Sequence, residues 1–395
     1  MFPRDQPLQS QWLSRDDCHL DLFSAIAATE TTSTDYPNAS RIENSVPVYD
    51  ARKLLTELDN QSRRREVQSE LIAVLLGGPG IAVFEGAFEH HVVDRVSTSF
   101  REMILEQRAN GVTAGDHFAK AGANDRVWNA LEKLAVRDPE AFVDYYANDI
   151  LAVICSAWLG PGYQVTSQVN VVNPGGPAQS PHRDYHLGFQ SDAAAELYPT
   201  HVHQLSPLLT LQGAVAHVDM PIDSGPTLYL PHSQKFLPGY LAWRNASFVQ
   251  FFEEHAVQLP LAKGDAVFFN PALFHAAGTN RTRHIERMAN LLQVSSAFAR
   301  AMETVDRQSM VEAIYPVLLG RRDAAGSSEP LHRSMNNAVA SAAEGYPFPT
   351  NLDRDQPLDG LAPESQSDLV CEALLNRMSV AEVRRRLDQN SARRM

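Results

Sequence analysis

Between Tyr163 and Val172 the chain alternates with a period of two. Tyr163, Val165, Ser167, Val169 and Val171 fall on one face, and Gln164, Thr166, Gln168 and Asn170 on the other. This period predicts a β-strand whose two faces meet different environments. The polar row faces solvent in an open sheet; in a barrel that binds a polar ligand it faces the cavity. Further short apolar runs follow, LLTLQGAVAHVDM, PTLYLP, DAVFFNP and RMANLLQVSSAF, separated by Gly, Pro, Asp and Ser turns. Strands at this spacing predict an all-β barrel or sandwich. GGPGIAVFEGAF reads as a glycine turn entering one more strand, since it lacks the Gly-Lys-Ser/Thr ending and the following helix of a phosphate loop. Helical spacing occupies residues 49–76, 88–110 and 139–159. The reading is a mainly β core with flanking helices.

Residues 1–45 are polar and without a sustained period, and are expected to form a loosely ordered arm. Residues 46–300 form one domain whose β-core spans about 160–300, and 301–395 a helical extension. That extension is interrupted by EGYPFPTNLDRDQPLDGLAP, too rich in Pro and Asp for regular structure, and ends in one helix over Asp368–Arg394. A net charge of -13 argues against nucleic acid or an anionic membrane as the main partner. Cys18, Cys155 and Cys371 lie far apart, which speaks against a disulfide framework or a thiolate zinc site. With no apolar leader and no membrane-length apolar run, a cytoplasmic protein acting on a small molecule is expected.

The chemistry concentrates in SPHRDYHLGFQ, where His182 and Asp184 stand at a loop-to-strand junction, a place where functional groups are displayed. A second pair with the same spacing, His217 and Asp219 in AVAHVDM, lies among alternating apolar residues and reads as structural. The third ligand that a metal site needs is best supplied by His275 in GDAVFFNPALFHAAGTN. Two histidines and one carboxylate make the facial triad of non-haem Fe(II) oxygenases, which leaves positions open for co-substrate and oxygen. His186 would share the face of Asp184 if the strand continued, and is assigned to the surrounding shell or to substrate. Tyr346 and Phe348, in EGYPFPTN, are assigned to a candidate lid over residues 344–352, with a packing strap outside the barrel as the alternative.

The ordered series NPGGPAQSPHRD, SGPTLYLPHSQK and GDAVFFNPALFHAAGTNRTRHIER resembles the phytanoyl-CoA dioxygenase-like branch of the Fe(II)/2-oxoglutarate oxygenases, over roughly residues 75–300. The resemblance implies a double-stranded β-helix (jelly-roll, cupin-like) with helices outside, Fe(II) on His182, Asp184 and His275, and 2-oxoglutarate and O2 as co-substrates. It also implies an arginine about eleven residues beyond the distal histidine. Glu286 occupies that spacing, so the role of clamping the far carboxylate of 2-oxoglutarate passes to Arg287, with Arg283 in reserve. The Ser or Thr often found two residues after that histidine is Ala277 here, and Thr279, Gln168 or Asn170 would compensate. His232, in a PHSQ turn where relatives carry PGSH, is read as structural. The implied reaction oxidises an unactivated C–H bond of a small organic substrate, by hydroxylation, desaturation or ring closure. A non-catalytic metal-binding β-barrel module and a cupin-like isomerase stay open as alternatives.

Overall fold

A computed structural model of the chain describes residues 11–111, 123–326, 330–358 and 360–395. Its strands are β1 (Arg41–Glu43), β2 (Val46–Asp50), β3 (Ile81–Glu85), β4 (Asn124–Val127), β5 (Gln164–Val172), β6 (Thr210–Ala216), β7 (Leu228–Leu230), β8 (Val257–Gln258), β9 (Ala266–Phe269), β10 (Phe274–Ala276) and β11 (Arg287–Ser295). An eight-stranded mixed sheet runs β1-β2-β3-β9-β6-β11-β5-β4, and a three-stranded sheet runs β10-β7-β8. Only the β2–β3 pairing is parallel among the described strands.

The large sheet is buried on both faces for different reasons. Strand β11 sits between β5 and β6, with Leu291 opposite both Gln168 and Ala214. Met288, Leu292 and Val294, with Val165 and Val169 of β5, turn toward the helices and join the main apolar core. Ser167, the polar residue on that face, is satisfied by the Tyr146 hydroxyl at 3.0 Å, and Asn290 Nδ2 donates to the same hydroxyl at 3.2 Å. The opposite face of β5 carries Gln168 and Asn170 into a cavity between the two sheets. Gln168 and Asn170 of the polar row thus face a cavity and not bulk water, while Gln164 and Thr166 donate to backbone carbonyls of Ser296, Ala299 and Gln293.

Helices back the sheet where caps start them. Asp138 accepts from Ala141 N to open the helix Pro139–Tyr146, and Asn148 accepts from Leu151 N to open Asp149–Leu159. His217, just past β6, is fully enclosed between Ser97 Oγ (2.8 Å) and Tyr145 Oη (3.0 Å), a structural role like the one its context predicts. His232 takes a left-handed φ of 69° and bonds Thr31 Oγ1 at 2.9 Å, so it ties the N-terminal segment to a turn whose backbone favours glycine.

The segment expected as a loose arm is part of the fold from residue 11 onward; its residues 1–10 lie outside the described residues. The helix Leu20–Ala27 buries Phe23 against Phe236, Phe248 and Phe274 at 4.9–5.2 Å between ring centroids. One aromatic on an eight-residue helix anchors it without leaving a periodic pattern to read. At the other end, the single helix expected over Asp368–Arg394 is two, Gln366–Leu375 and Val380–Arg394, broken where Arg377 adopts φ 49°. Among the described residues no helix is long and apolar enough to cross a membrane.

Candidate metal centre and cavity

The segment before β6 pairs with β10 through one residue. His182 N donates to His275 O (3.0 Å) and His275 N to His182 O (3.1 Å), while Asp184 N reaches Pro271 O (3.1 Å). Residues directly opposite in an antiparallel pair project to the same face, and so do residues two apart on one strand. The backbone therefore brings His182, His275 and Asp184 onto one face. The ligand atoms of the three lie within 4.8 Å of one another.

Protons are already placed on this cluster. His182 Nδ1 lies 2.9 Å from Ser180 O and His275 Nδ1 lies 2.9 Å from Leu273 O; a carbonyl only accepts, so each Nδ1 carries the hydrogen. Both Nε2 atoms then turn lone pairs toward Asp184, His182 Nε2 at 3.6 Å from Oδ1 and His275 Nε2 at 3.5 Å from Oδ2. Two lone pairs and a carboxylate converging at more than hydrogen-bond length repel one another unless a cation lies between them. The donor set fits a divalent transition metal, and three protein ligands leave coordination positions open. Burial pushes the Asp184 carboxyl upward, while the amide of Gln212, donating to Oδ2, favours the ionised form that a metal ligand takes. Burial lowers the His182 pKa and favours the neutral form in which a ring can act as a metal ligand.

The intervening residue is locked on the other side. Arg183 is fully buried, donates to Ser233 O (2.5 Å) and Phe236 O (2.9 Å), and lies over the rings of Tyr240 and Phe274. A Cβ at Gly239 would overlap its guanidinium, so glycine is required there. Arg183 thereby pins the strand that presents two of the three donors.

The triad opens into a cavity of about 690 Å³ between the sheets. Arg287 enters it from the first position of β11, 7% exposed, with Nη1 donating to Ser224 O (3.1 Å) and Gly278 O (3.2 Å). Burial lowers its pKa to about 10, which leaves it charged at neutral pH. No carboxylate pairs with it among the described residues. Arg283 is exposed and does not line the cavity. Gln168 and Asn170 do line it, Gln168 Oε1 accepting from Arg126 Nη1 at 3.2 Å.

Other sequence-derived assignments fall elsewhere. The strand does not continue past Asp184: Tyr185 (φ 64°) and His186 (φ 34°) turn the chain into a short helical turn, so His186 leaves the face of Asp184 and is not among the cavity-lining residues. Thr279 is likewise outside the lining, and its hydroxyl accepts from Ala178 N (3.1 Å) to brace two loops. Tyr346 packs edge-on against Phe298 (5.4 Å) and Phe348 (5.6 Å), the adjacent Gly345 touches the Gly162 backbone, and no residue of 344–352 lines the cavity. This loop straps the turn before β5. The cavity wall includes residues not singled out from sequence: Gln212, Gln293, Trp128 and, at the mouth, Phe189 and Trp243. Gln212 and Gln293 were legible in principle, as polar residues at cavity-facing positions of TLQGAVA and RMANLLQVS.

Residues 78–289 match the family model for phytanoyl-CoA dioxygenase (PhyH), and the chain belongs to that family. No curated protein matches it by sequence. Similar solved structures include the epimerase SnoN in complex with Fe3+, alpha ketoglutarate and nogalamycin RO, at 17% identity and TM-score 0.39 over 60% of this chain and 87% of that one. The non-heme alpha ketoglutarate dependent carbocyclase SnoK from nogalamycin biosynthesis aligns at 18% and TM-score 0.42, over 62% and 89%. AviO1 from Streptomyces viridochromogenes Tue57 aligns at 16% and TM-score 0.40, over 56% and 92%. The His-Asp-His cluster of this chain is compatible with bound iron.

Proposed function

We propose that this chain is an Fe(II)- and 2-oxoglutarate-dependent oxygenase that oxidises a C–H bond of a small organic molecule, and that its two sheets form a double-stranded β-helix around the site. The observation that carries this reading is the buried Arg287, a cation without a carboxylate partner among the described residues, in the same cavity as the three-donor cluster. His182, Asp184 and His275 would hold the iron, and Arg287 would take the distal carboxylate of 2-oxoglutarate through paired N–H donors. Iron held in this way supplies oxidation at a substrate carbon, coupled to oxidative decarboxylation of 2-oxoglutarate by dioxygen to succinate and carbon dioxide. The chain's own residues orient both partners: Ser224 O and Gly278 O fix the guanidinium, Gln212 fixes the metal carboxylate, and the cavity walls keep water from the reacting carbon.

A structural metal is the weaker reading, because closed structural sites use four protein ligands and this one offers three among the described residues, beside a cavity. The test is succinate formation from 2-oxoglutarate by Fe(II)-loaded protein in air, followed by proton NMR. The expected result is succinate that requires added iron and is lost in His275→Ala; iron bound at the site without any succinate would overturn the proposal and favour an isomerase.

A further inference from the structure

Arg287 has only part of its guanidinium left for a ligand. Nη1 carries two hydrogens, and the carbonyls of Ser224 (3.1 Å) and Gly278 (3.2 Å) take them. Nη2 and Nε remain, so a carboxylate docks on the side edge of the guanidinium and receives one bond on each oxygen. An ionised carboxylate has about four acceptor positions, so two stay open in this buried corner of the cavity. Unmatched acceptors are costly away from water, and the wall around Arg287 is the place to look for two further donors.

Strand β7 carries them. Among the described residues lining the cavity, Thr227 and Tyr229 alone bear hydroxyls. Tyr229 stands opposite His275 in the β10–β7 ladder, and Leu228 opposite Ala276. Leu228, Leu230, Phe274 and Ala276 pack outward with Phe23, so Tyr229 faces inward with the metal ligand. One step further, the same register sets Thr227 against Ala277; the chains stay close there, since a Cβ at Gly278 would lie 2.9 Å from Pro226 O. Ser224 and Gly278, whose carbonyls fix Arg287, flank these same strand ends, so guanidinium and hydroxyls share one corner. The Tyr229 ring lies edge-on to Phe269 at 5.1 Å, and Phe269 packs on His275 at 4.8 Å. Burial pushes the Tyr229 hydroxyl well above its usual range, against smaller pulls from Thr227 and the Arg287 charge, so it stays protonated and can donate. Unlike Gln212 Oε1, neither hydroxyl is sealed away without a partner, and both open to the cavity.

We propose that Thr227 and Tyr229 complete the co-substrate subsite, their hydroxyls donating to the carboxylate oxygens that Arg287 holds. Each oxygen then accepts one bond from the guanidinium and one from a hydroxyl. Ala277, across from Thr227, brings only a methyl group to this corner, so the hydroxyl comes from β7. The site selects a 2-oxo acid with a second carboxylate at its far end over one of the same length without it. This inference rests on the oxygenase reading above and names two further residues of its site.

The experiment compares 2-oxoglutarate with 2-oxopentanoate, which has the same carbon chain but no far carboxylate. Each is titrated into anaerobic Fe(II)-loaded protein, and binding is read from the visible absorbance of the bound keto-acid end. Thr227→Val and Tyr229→Phe keep the side-chain shape and remove one hydroxyl each. Each should weaken 2-oxoglutarate about tenfold and leave 2-oxopentanoate within about twofold of the wild type. Thr227→Ser keeps the hydroxyl and should bind 2-oxoglutarate within about threefold of the wild type. A loss below about threefold in either hydroxyl-free variant, equal losses for the two keto acids, or a Thr227→Ser loss as large as that of Thr227→Val would each overturn the subsite. Failure of the oxygenase reading shows differently, as wild-type protein that binds iron and gives no absorbance change with 2-oxoglutarate, and it would take the subsite with it.

Discussion

Replacing Arg287 by alanine tests the part of the site that turns a metal centre into an oxygenase. The guanidinium is buried, and Nη1 is fixed by the carbonyls of Ser224 and Gly278, so little side-chain entropy is lost when a carboxylate docks on it. A paired guanidinium–carboxylate contact makes two charge-assisted hydrogen bonds, each worth about 1.5–3 kcal/mol. Removing both, with part of the gain cancelled by desolvation of the ligand, should cost about 3 kcal/mol, or roughly a hundredfold in the 2-oxoglutarate Kd. Arg287→Lys keeps the charge but not the paired geometry and should lose about tenfold. The assay is titration of the visible absorbance of the anaerobic Fe(II) protein with 2-oxoglutarate, with iron affinity measured independently. Iron binding should be unaffected in both variants. A change of less than about threefold in Arg287→Ala would refute the role given to this residue.

Three further predictions follow from neighbouring contacts. Gln212→Leu removes the amide that holds Asp184, and iron affinity measured by competition with a chromogenic chelator should fall about tenfold; unchanged affinity would mean that the contact does not orient the ligand. Gly239→Ala drives a methyl group into the Arg183 guanidinium and should destabilise the fold by about 2–3 kcal/mol in urea unfolding, whereas a neutral result would show that Arg183 is free to move. His217, whose pKa burial pushes down to about 3, stays neutral in the folded protein: Ser97 passes its proton to Val93 O and accepts from Nδ1, and Tyr145 donates to Nε2. The unfolded chain takes up that proton below about pH 6.5, so this contribution to stability is complete above that pH and is lost as pH falls toward 3. Between pH 7 and 5 the wild type should lose about 2 kcal/mol more than His217→Gln, and equal losses would contradict the assignment.

The triad was legible because its geometry is encoded locally. Two residues of spacing put His182 and Asp184 on one face, and the proline-to-glycine frame around His275 delivers it to the edge opposite. Strands β5, β6, β9 and β11 were legible from period and turns, and the polar row of Gln168 and Asn170 faces the cavity. Arg287 was one residue off the expected spacing, and burial separates it from the exposed Arg283. His186 was misplaced because the extension of the strand was assumed, while left-handed backbone at Tyr185 and His186 ends it, and nothing in YHL announces that turn. An aromatic, proline-stiffened loop in a helical tail left Tyr346 and Phe348 open to two readings, a lid or a packing strap, because which face of the fold a loop covers is set by tertiary contacts such as Gly345 on Gly162. Trp128 and Arg126 escaped notice because β4 and its flank are too short for any period to show.

The most direct measurement is the visible spectrum of the anaerobic protein loaded with Fe(II) and then given 2-oxoglutarate. A keto-acid bound to the iron through two oxygens produces a weak charge-transfer band. The account predicts that the band appears with wild-type protein, saturates at one equivalent of iron, and is absent in His182→Ala and Asp184→Ala. Iron bound at this cluster with no band on addition of 2-oxoglutarate would contradict it.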